Sequence, residues 1–448
     1  MTKMDRPHIV IIGGGFGGLQ AAHSLKYAEA DITLIDKNNH HLFQPLLYQV
    51  ATASLSPADI AAPIRWILRK QKNTKVVLGE ILEIDRNKNR LRLHDREMSY
   101  DYLILATGMT HSYYGNNQWA KFAPGLKSLS ESTEIRRRVL LAFETAEKCT
   151  NKLFRQSITT FVVIGGGPTG VEMAGAIAEL TRLSMKEDFR NIDTGKVTVI
   201  LVEAGPRLLP AMSEKSSQKA KQSLEKLGIQ VRLSSPVDDI QETFVKTGDE
   251  QIKTRNVIWA AGLSASPLTE NLGVDLDRAG RVKVNPELTV PGYENISVIG
   301  DLAHIQQANG SLVPGMSPAA IQEGRWAAKN IIRKMAYKNT LPFEYSDKGC
   351  MATIGKAAAV ADIGPFQFSG VLAWIIWLST HIFFLIGFRN RLVVIFQWAW
   401  AYFTTQRHSR LITHPWHFWE PGIPDKQISR MPGCYCEISK DGSDCFKK

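Results

Sequence analysis

The chain has 448 residues, of which 44% are hydrophobic and 22% charged, which is enough for two or three globular domains. Its formal net charge of +11 is spread along the chain rather than collected in a basic tail. The densest cluster, Arg136-Arg137-Arg138, lies among glutamates in a helical segment, which favours a solvated helix face over nucleic acid as a partner. A dispersed positive charge also suits an anionic membrane surface.

None of the five cysteines forms a C-x-x-C pair, and their odd number predicts a reducing compartment. We expect no metal site, because the tail cysteines Cys434, Cys436 and Cys445 have no histidine nearby to complete a set of four ligands. The first predicted strand begins at about residue 8, so we also expect no signal or transit peptide.

The first predicted strand, residues 9–12, leads into Gly13-x-Gly15-x-x-Gly18 and then a helix. This order of strand, turn and helix is the context of a dinucleotide-binding fingerprint, in which the glycines permit a tight turn, a close pyrophosphate and close packing. The next apolar strand ends in Asp36, the acid expected on a ribose hydroxyl. A glycine-rich hairpin is the alternative, and this context disfavours it.

Three further segments follow before the chain repeats itself. Residues 40–51 form an apolar and aromatic loop that either encloses a cofactor ring or joins the core. Residues 57–69 are predicted to form one helix, with isoleucines on one face. The buried strand over residues 102–105 ends in Ala106-Thr107-Gly108, small residues that let the backbone approach a ligand closely.

The opening pattern returns at residues 161–172, with Gly165, Gly167 and Gly170 after a strand and a second acid, Glu203, after the next strand. Two fingerprints, each with its acid, predict two dinucleotide sites. A later strand ends at Gly300-Asp301, where Asp301 either binds cofactor hydroxyls or caps the next segment. Ser317 and Pro318 are typical N-cap and first-turn residues of the helix that follows.

The last hundred residues change in character. Residues 371–388 carry no formal charge, and residues 392–403 are again apolar and aromatic. Six of the ten tryptophans lie here: Trp374, Trp377, Trp398, Trp400, Trp416 and Trp419. Tryptophan and arginine beside apolar runs are typical of a membrane–water interface. Because eighteen residues barely reach a spanning length, we expect an interfacial anchor rather than a true span or a buried core helix.

Together these features resemble the flavoprotein superfamily with two dinucleotide-binding domains. Within it, the chain is similar to the type II NADH:quinone oxidoreductases, single-subunit NADH dehydrogenases of bacteria that do not pump protons. The closer match is carried by residues 41–52, 165–172, 319–322 and 387–391, and the resemblance spans residues 8 to about 410.

The resemblance implies an α/β fold with two Rossmann-like dinucleotide-binding domains, the second inserted in the first, and a C-terminal helical membrane-anchoring region. We expect an FAD-binding domain over residues 1–155 and 285–345, an NADH-binding domain over 156–284, and the anchoring region over 346–448.

The resemblance places FAD in the first site. The residues implied for FAD lie in the glycine turn, at strand ends and at the starts of two later helices: Gly13, Gly14, Gly15, Phe16, Gly17, Asp36, Lys37, Ile81, Ala106, Thr107, Gly108, Asp301, Ser317, Pro318 and Phe388. The helix at Ser317 would direct N–H groups at the pyrimidine end of the flavin, where reduced flavin is anionic.

The resemblance places NADH, the substrate, on Gly165, Gly167 and Gly170. Glu203 would accept hydrogen bonds from the ribose hydroxyls and repel a 2′-phosphate, although Arg207 nearby could soften that repulsion. Glu172 matches the catalytic acid that the family places near the nicotinamide, and its alternative role is to complement the helix dipole.

Gln322 matches the family glutamine at the quinone head group, where a neutral amide can bond a carbonyl. Phe388 would close that pocket from the membrane side. Pro318 stands where the family usually has a glutamine, a departure that bears on the details of the pocket.

The implied function is FAD-dependent oxidation of NADH with two-electron reduction of a lipid quinone, which feeds the respiratory chain. The implied location is the cytoplasmic face of the inner (plasma) membrane of a bacterium, with a homodimer as one candidate assembly. One alternative is an enzyme similar to sulfide:quinone oxidoreductase that uses Cys149 and Cys350; another is a membrane-surface NAD(H) or FAD sensor without turnover.

Overall fold

The computed structural model describes residues 6–413, so Trp416, Trp419 and the three tail cysteines lie outside the described residues. Its largest sheet has six strands, in the order Thr289–Val290, Tyr293–Val298, Tyr102–Leu105, His8–Ile12, Asp31–Asp36 and Thr74–Leu78. Every neighbouring pair is parallel except the edge pair of Thr289–Val290 with Tyr293–Val298. Long buried apolar runs such as residues 9–12 are typical of a parallel sheet covered on both faces.

A second sheet has four parallel strands, in the order Gln230–Arg232, Thr198–Val202, Thr160–Ile164 and Asn256–Trp259. All four lie in sequence between two neighbouring strands of the first sheet, Tyr102–Leu105 and Tyr293–Val298. The antiparallel pair Met109–His111 and Leu263–Ala265 joins the chain leaving the first sheet to the chain returning to it. The α/β architecture is therefore as predicted, whereas the residue boundaries of the domains remain predictions.

The remaining elements are helices and short strands, which pair antiparallel except for the parallel pair of Val282–Lys283 with Ala303–His304. The helices are Phe16–Ser24, Leu47–Ala51, Pro57–Ile60, Ile64–Leu68, Leu129–Lys148, Lys152–Ile158, Pro168–Glu179, Glu214–Lys226, Ser317–Met335, Val371–Phe384 and Phe388–Thr404. The short strands are His40–Leu42, Ala61–Pro63, Ile81–Asp85, Arg90–Leu93, Glu97–Ser99, Asp239–Gln241, Phe244–Thr247, Glu250–Lys253, Val282–Lys283, Ala303–His304, Cys350–Gly355, Ala358–Ile363 and Phe366–Gly370.

The single helix expected over residues 57–69 is two short helices separated by the strand Ala61–Pro63. Pro63 has no N–H to continue a helix, and the strand pairs instead with His40–Leu42. This pairing holds the aromatic loop over residues 40–51 against the first glycine turn.

The C-terminal helices pack into the core with one face and leave the other exposed. Trp377, Leu385 and Val394 belong to the same buried cluster as Phe161 and Val171 of the second dinucleotide unit. The apolar run over residues 371–388 is not one helix, because the chain breaks between the two helices at residues 385–387. Within residues 6–413, no helix combines the length and apolar character needed to cross a membrane.

Candidate functional site

The first glycine turn forms an open cradle with a carboxylate beside it. Gly13 has φ +105°, and a Cβ on Gly18 would lie 1.9 Å from the carbonyl oxygen of Gly13. Gly15, by contrast, has no atom within 4 Å of the position of a Cβ. Asp36 Oδ2 accepts a hydrogen bond of 2.6 Å from the backbone N–H of Gly14. The turn therefore combines tight helix packing with space for a phosphate at a helix N-terminus.

The strand end at Ala106 and Thr107 lies beside this turn and could contact a ligand that extends beyond its phosphate groups. A Cβ on Gly13 would lie 2.3 Å from the carbonyl oxygen of Ala106, so the two backbones are in contact. Thr107 Oγ1 is buried and has no hydrogen-bond partner among the described residues. An unpaired buried hydroxyl costs roughly 1–3 kcal/mol. The open cradle and this hydroxyl fit the FAD that the resemblance implies.

His41 also belongs to this site, although no sequence pattern assigned it a role of its own. Its Nδ1 lies 2.9 Å from the carbonyl oxygen of Gly14, and its ring packs edge-on against Phe16 at 5.0 Å between centroids. Burial lowers the pKa of His41, so the ring is neutral and Nδ1 is the atom that donates. Nε2 has no partner within the described chain. His41 therefore supports the turn and offers one free acceptor.

The other predicted FAD residues differ in solvent exposure. Ile81 is buried in the strand that it begins, whereas Lys37 is exposed. Asp301 Oδ2 lies 3.9 Å from Lys127 Nζ. The helix after it begins at Ser317, with Met316 in the N-cap position, one residue earlier than predicted.

Glu323, on the helix Ser317–Met335, is a buried acid beside the predicted ribityl site. The N–H of Gly300 donates to its carboxylate, which fixes the turn that carries Asp301. Burial, reinforced by Asp301, raises the pKa of Glu323 to about 8.

The second glycine turn repeats the first and adds a large cavity. Gly165 has φ +111°, a Cβ on Gly170 would lie 1.8 Å from the carbonyl oxygen of Gly165, and Gly167 faces open space. Glu203 accepts hydrogen bonds from the N–H groups of Gly166 and Gly205, each at 2.5 Å. A cavity of about 570 Å³ is lined by the glycine turn, Glu203 and the strand end at residues 259–262.

Arg207 is held within its own loop. Its guanidinium donates to the backbone carbonyls of Met212 and Pro210, at 2.8 and 2.7 Å. The cation therefore has protein partners already and is not aimed at the cavity by an ion pair with Glu203.

Glu172, predicted to lie near the nicotinamide, lines a separate cavity of about 130 Å³ beneath the C-terminal helices. Burial raises its pKa to about 8, although the Thr353 N–H favours the charged form. The Thr353 N–H lies 3.4 Å from Oε1. Glu172 is therefore a neutral acid at pH 7, one helical turn from the cradle that Gly167 forms, and its catalytic role stays a prediction.

The helix Pro168–Glu179, which carries Glu172, packs directly on the C-terminal sheet formed by the strands Cys350–Gly355, Ala358–Ile363 and Phe366–Gly370. A Cβ on Gly175 would lie 1.9 Å from the carbonyl oxygen of Ile354, so only glycine allows this contact. Glu179, one turn later, pairs at 3.3 Å with Arg407, whose buried guanidinium also donates to the carbonyl of Thr52. The sequence did not single out Arg407, and the only signal was a cation in a stretch without acids.

Gln322 is already engaged by the protein. Its Nε2 donates to the carbonyl oxygen of Ser346 and its Oε1 accepts from the Ser346 N–H, both at 3.0 Å. Phe388 is 76% exposed at the start of its helix, beside Asn390, which bonds the carbonyl of Ala58. The quinone contacts expected of Gln322 and Phe388 therefore stay predictions.

The two described cysteines do not favour the alternative that uses them. Both thiols are free, and Cys149 donates to the carbonyl of Asn151 within the protein. Burial raises the pKa of Cys350 to about 11, which opposes the thiolate that redox chemistry needs.

Family models and curated relatives assign the chain to the same family. The family described as pyridine nucleotide-disulphide oxidoreductase matches residues 7–324, and the NDH2 C-terminal domain matches residues 348–407. The chain is 45% identical over 424 residues to the type II NADH:quinone oxidoreductase Ndh of Mycobacterium tuberculosis, which covers 91% of this chain and 90% of that protein.

Two solved structures share the fold. The structure of NDH2 from Plasmodium falciparum in complex with NADH has a TM-score of 0.83 at 21% identity and covers 91% of this chain and 100% of that one. The sulfide:quinone oxidoreductase of Aquifex aeolicus has a TM-score of 0.70 at 20% identity, covering 86% and 92%. At these identities the likeness shows the fold alone.

Proposed function

We propose that this chain oxidises NADH and reduces a lipid quinone by two electrons, because of the family to which it belongs. The chain is a member of the pyridine nucleotide-disulphide oxidoreductase family and, within it, of the type II NADH:quinone oxidoreductases. The chemistry that FAD supplies when bound is acceptance of a hydride and release of two electrons to the quinone. The protein's own residues bind, orient and exclude water around these reactants.

The first site would hold FAD. Gly15 leaves room for the pyrophosphate at the helix N-terminus, and Asp36 stands next to it for the adenosine ribose. The unpaired Thr107 hydroxyl would gain a partner from the ligand. Ser317 begins a helix whose free N–H groups would favour negative charge at the pyrimidine end of the ring.

The observation that carries the proposal is the cavity of about 570 Å³ at the second turn, with Glu203 fixed at its rim. Both carboxylate oxygens are oriented by backbone N–H groups, so they meet the ribose hydroxyls as acceptors. A 2′-phosphate there would face an oriented negative charge. Glu203 therefore favours NADH over NADPH.

On the acceptor side, Glu172 is the group best placed to hold a proton. Reduction of a quinone to a quinol consumes two protons for two electrons, and a neutral buried acid can supply one of them. Gln322 Nε2 already donates to the carbonyls of Pro318 and Ser346, so it could bind the quinone only by giving up one of these bonds. Glu172, in contrast, already lines a cavity.

The exposed side of the C-terminal helices, called here the apolar face, would lie against the membrane. It consists of Val371, Leu372, Ile375, Phe383, Phe384, Phe388, Leu392, Ile395, Phe396, Trp400 and Phe403, all between 41 and 82% exposed. Many exposed large apolar side chains on two neighbouring helices are typical of an interaction site. The net charge of +11 favours an anionic lipid surface, and the cytoplasmic leaflet of a bacterial plasma membrane provides one. A homodimer formed through the same face would compete with binding to the membrane.

Flotation with vesicles separates these two uses of the apolar face. Phe396 and Phe403 are 71 and 82% exposed, so replacing both with glutamate alters the face and not the core. We expect the double variant to lose binding to phosphatidylglycerol vesicles while keeping its FAD. Tyr337→Glu, at a site 99% exposed elsewhere, is the matched control. Membrane contact would be contradicted if the double variant still floats with the vesicles. It would also be contradicted if the only change is from a dimer to a monomer in solution.

Steady-state turnover tests the proposed function itself. The protein loaded with FAD should consume NADH slowly alone and rapidly with a soluble quinone. A sensor without turnover predicts no difference between the two conditions. Replacing Cys149 and Cys350 with serine should leave the rate unchanged, and loss of turnover would favour the sulfide:quinone oxidoreductase alternative.

A further inference from the structure

Tyr48 lies on the short helix Leu47–Ala51 and lines the cavity beneath the C-terminal helices. Its side chain is 6% exposed, and burial raises its pKa well above the ordinary value, so the phenol stays protonated. Gln49 Nε2 donates a hydrogen bond of 2.9 Å to Tyr48 Oη. Among residues 6–413, nothing accepts the proton that the Tyr48 hydroxyl carries.

The direction of this hydrogen bond is fixed by a third residue. An amide side chain could in principle present either its oxygen or its nitrogen to Tyr48. Trp398 Nε1, however, lies 2.7 Å from Gln49 Oε1, and an indole N–H can only donate. The Gln49 oxygen must therefore face Trp398 and the nitrogen must face Tyr48. The Tyr48 oxygen is thus an acceptor, and its own proton is available to a ligand.

The cavity suits a neutral, flat ligand. Its volume of about 130 Å³ is close to the roughly 150 Å³ of a protein cavity that holds one benzene ring, so a single six-membered ring fits. Aromatic side chains from the two C-terminal helices line it: Trp374, Trp377, Trp398 and Tyr402. Its charged groups already have partners, since Glu179 pairs with Arg407 and the Lys356 ammonium donates to the carbonyl of Tyr402.

We propose that the Tyr48 hydroxyl, held in place by Gln49 and Trp398, donates a hydrogen bond to a carbonyl oxygen of the quinone bound in this cavity. Tyr48 and Glu172 then present two donors to a ligand with two carbonyl acceptors. Trp398 belongs to the helix Phe388–Thr404, one of the two helices that carry the apolar face, so the orientation of Gln49 depends on the docking of that helix. This inference rests on the proposed function and adds a residue to its acceptor site.

The test uses the full chain loaded with FAD, NADH as donor and two acceptors. Menadione has two carbonyl groups, whereas ferricyanide takes electrons without a hydrogen bond or a proton. We expect Tyr48→Phe to lower kcat/KM for menadione about tenfold or more and to leave the ferricyanide rate within about twofold, because only the quinone loses a bond. Trp398→Phe should lower the menadione value by a smaller factor, since the Gln49 amide is then free to turn.

Tyr100→Phe is the matched control, because Tyr100 is also buried with an unpaired hydroxyl but packs with the first sheet. An unchanged menadione kcat/KM in Tyr48→Phe, or an equal fall with both acceptors, would overturn the inference. If Tyr48→Phe fails to fold, an unchanged menadione value in Trp398→Phe would overturn it instead. A wild-type protein that reduces ferricyanide but not menadione would refute the proposed function itself.

Discussion

The two dinucleotide units have the same cradle but different neighbours. Gly13 and Gly165 have φ values of +105° and +111°, and Gly18 and Gly170 approach the carbonyls of those residues equally closely. The helix of the first unit, Phe16–Ser24, packs on the helix Ser317–Met335. The helix of the second unit packs on the C-terminal strand Cys350–Gly355 instead.

This difference explains how one unit reaches the cavity that we propose for the quinone. In each unit the N-terminus of the helix lies at the glycine turn, whereas the remaining turns contact another part of the protein. In the second unit these turns carry Glu172 and Glu179 into the wall of the cavity beneath the C-terminal helices. The second unit therefore packs against the C-terminal region through this helix and also through the helix Glu214–Lys226, which contacts the strands Ala358–Ile363 and Phe366–Gly370.

The largest expected effect separates the two cradles. Gly18→Ala should give protein without flavin, because the new methyl group would meet the carbonyl of Gly13 at 1.9 Å. Gly170→Ala should keep the flavin but lose NADH affinity by roughly 100-fold or more. Flavin absorbance and its bleaching by NADH measure both. Flavin loss in Gly170→Ala would contradict the assignment of one ligand to each unit.

Glycine positions with open space provide the control for that pair. Gly15→Ala and Gly167→Ala introduce no clash within the protein, so both variants should fold with an unchanged Tm without ligand. Each should still weaken its own ligand, because the methyl group occupies the phosphate cradle.

A second prediction concerns the acid that only the second helix carries. Because the pKa of Glu172 is about 8, quinone reduction by the wild type should fall as pH rises through that value. Glu172→Gln should lower the rate roughly 100-fold and remove this pH dependence. Rates with menadione at several pH values measure it. A Gln variant with the wild-type profile would contradict proton donation by Glu172.

The stability of Glu172→Gln checks the same pKa independently. The pKa of Glu172 in the folded protein lies above its ordinary value of 4.5, so the folded state binds more protons than the unfolded state between pH 4.5 and 8. The stability that the neutral acid contributes is complete below about pH 4.5 and is lost as pH rises towards 8. We therefore expect the amide variant to have a higher Tm than the wild type at pH 8, and no difference at pH 4.5.

A smaller effect distinguishes the two ribose acids. Glu203→Ala should raise the ratio of kcat/KM for NADPH over NADH about tenfold, because the oriented negative charge is removed. Asp36→Ala should leave that ratio unchanged and weaken retention of FAD. An unchanged ratio in Glu203→Ala would mean that Glu203 does not contact the ribose.

The smallest effect concerns the strand ends, where the first unit has Thr107 and the second has Ala261 in the corresponding place. Thr107→Val keeps the volume and removes an unpaired hydroxyl, so the protein without FAD should gain roughly 1 kcal/mol in unfolding free energy. FAD affinity should fall several-fold. Urea unfolding and flavin titration measure the two changes, and Thr107→Ser should restore the affinity.

The sequence predicted both cradles because their determinants are local. A positive φ at Gly13 and a close approach at Gly18 depend on residues within one strand, turn and helix. The split of residues 57–69 into two helices was missed, although Pro63 was a usable signal.

What the sequence could not predict depends on contacts between distant residues. Gln49 bonds its neighbour Tyr48 and also Trp398, which lies 349 positions after Gln49, and no local pattern marks such a contact. The Gln322 amide meets Ser346 only because the helix Ser317–Met335 and the following segment fold back on each other. The buried sides of the C-terminal helices were likewise hidden, since exposed and core tryptophans look the same in a sequence.

The measurement that tests the central claim most directly is an anaerobic stopped-flow experiment on the protein loaded with FAD. Mixing with NADH should bleach the flavin absorbance, and a second mixing with menadione should restore it at the rate of turnover. Bleaching that menadione does not reverse, or no bleaching by NADH, would contradict electron transfer from the Gly165–Gly170 site to a quinone.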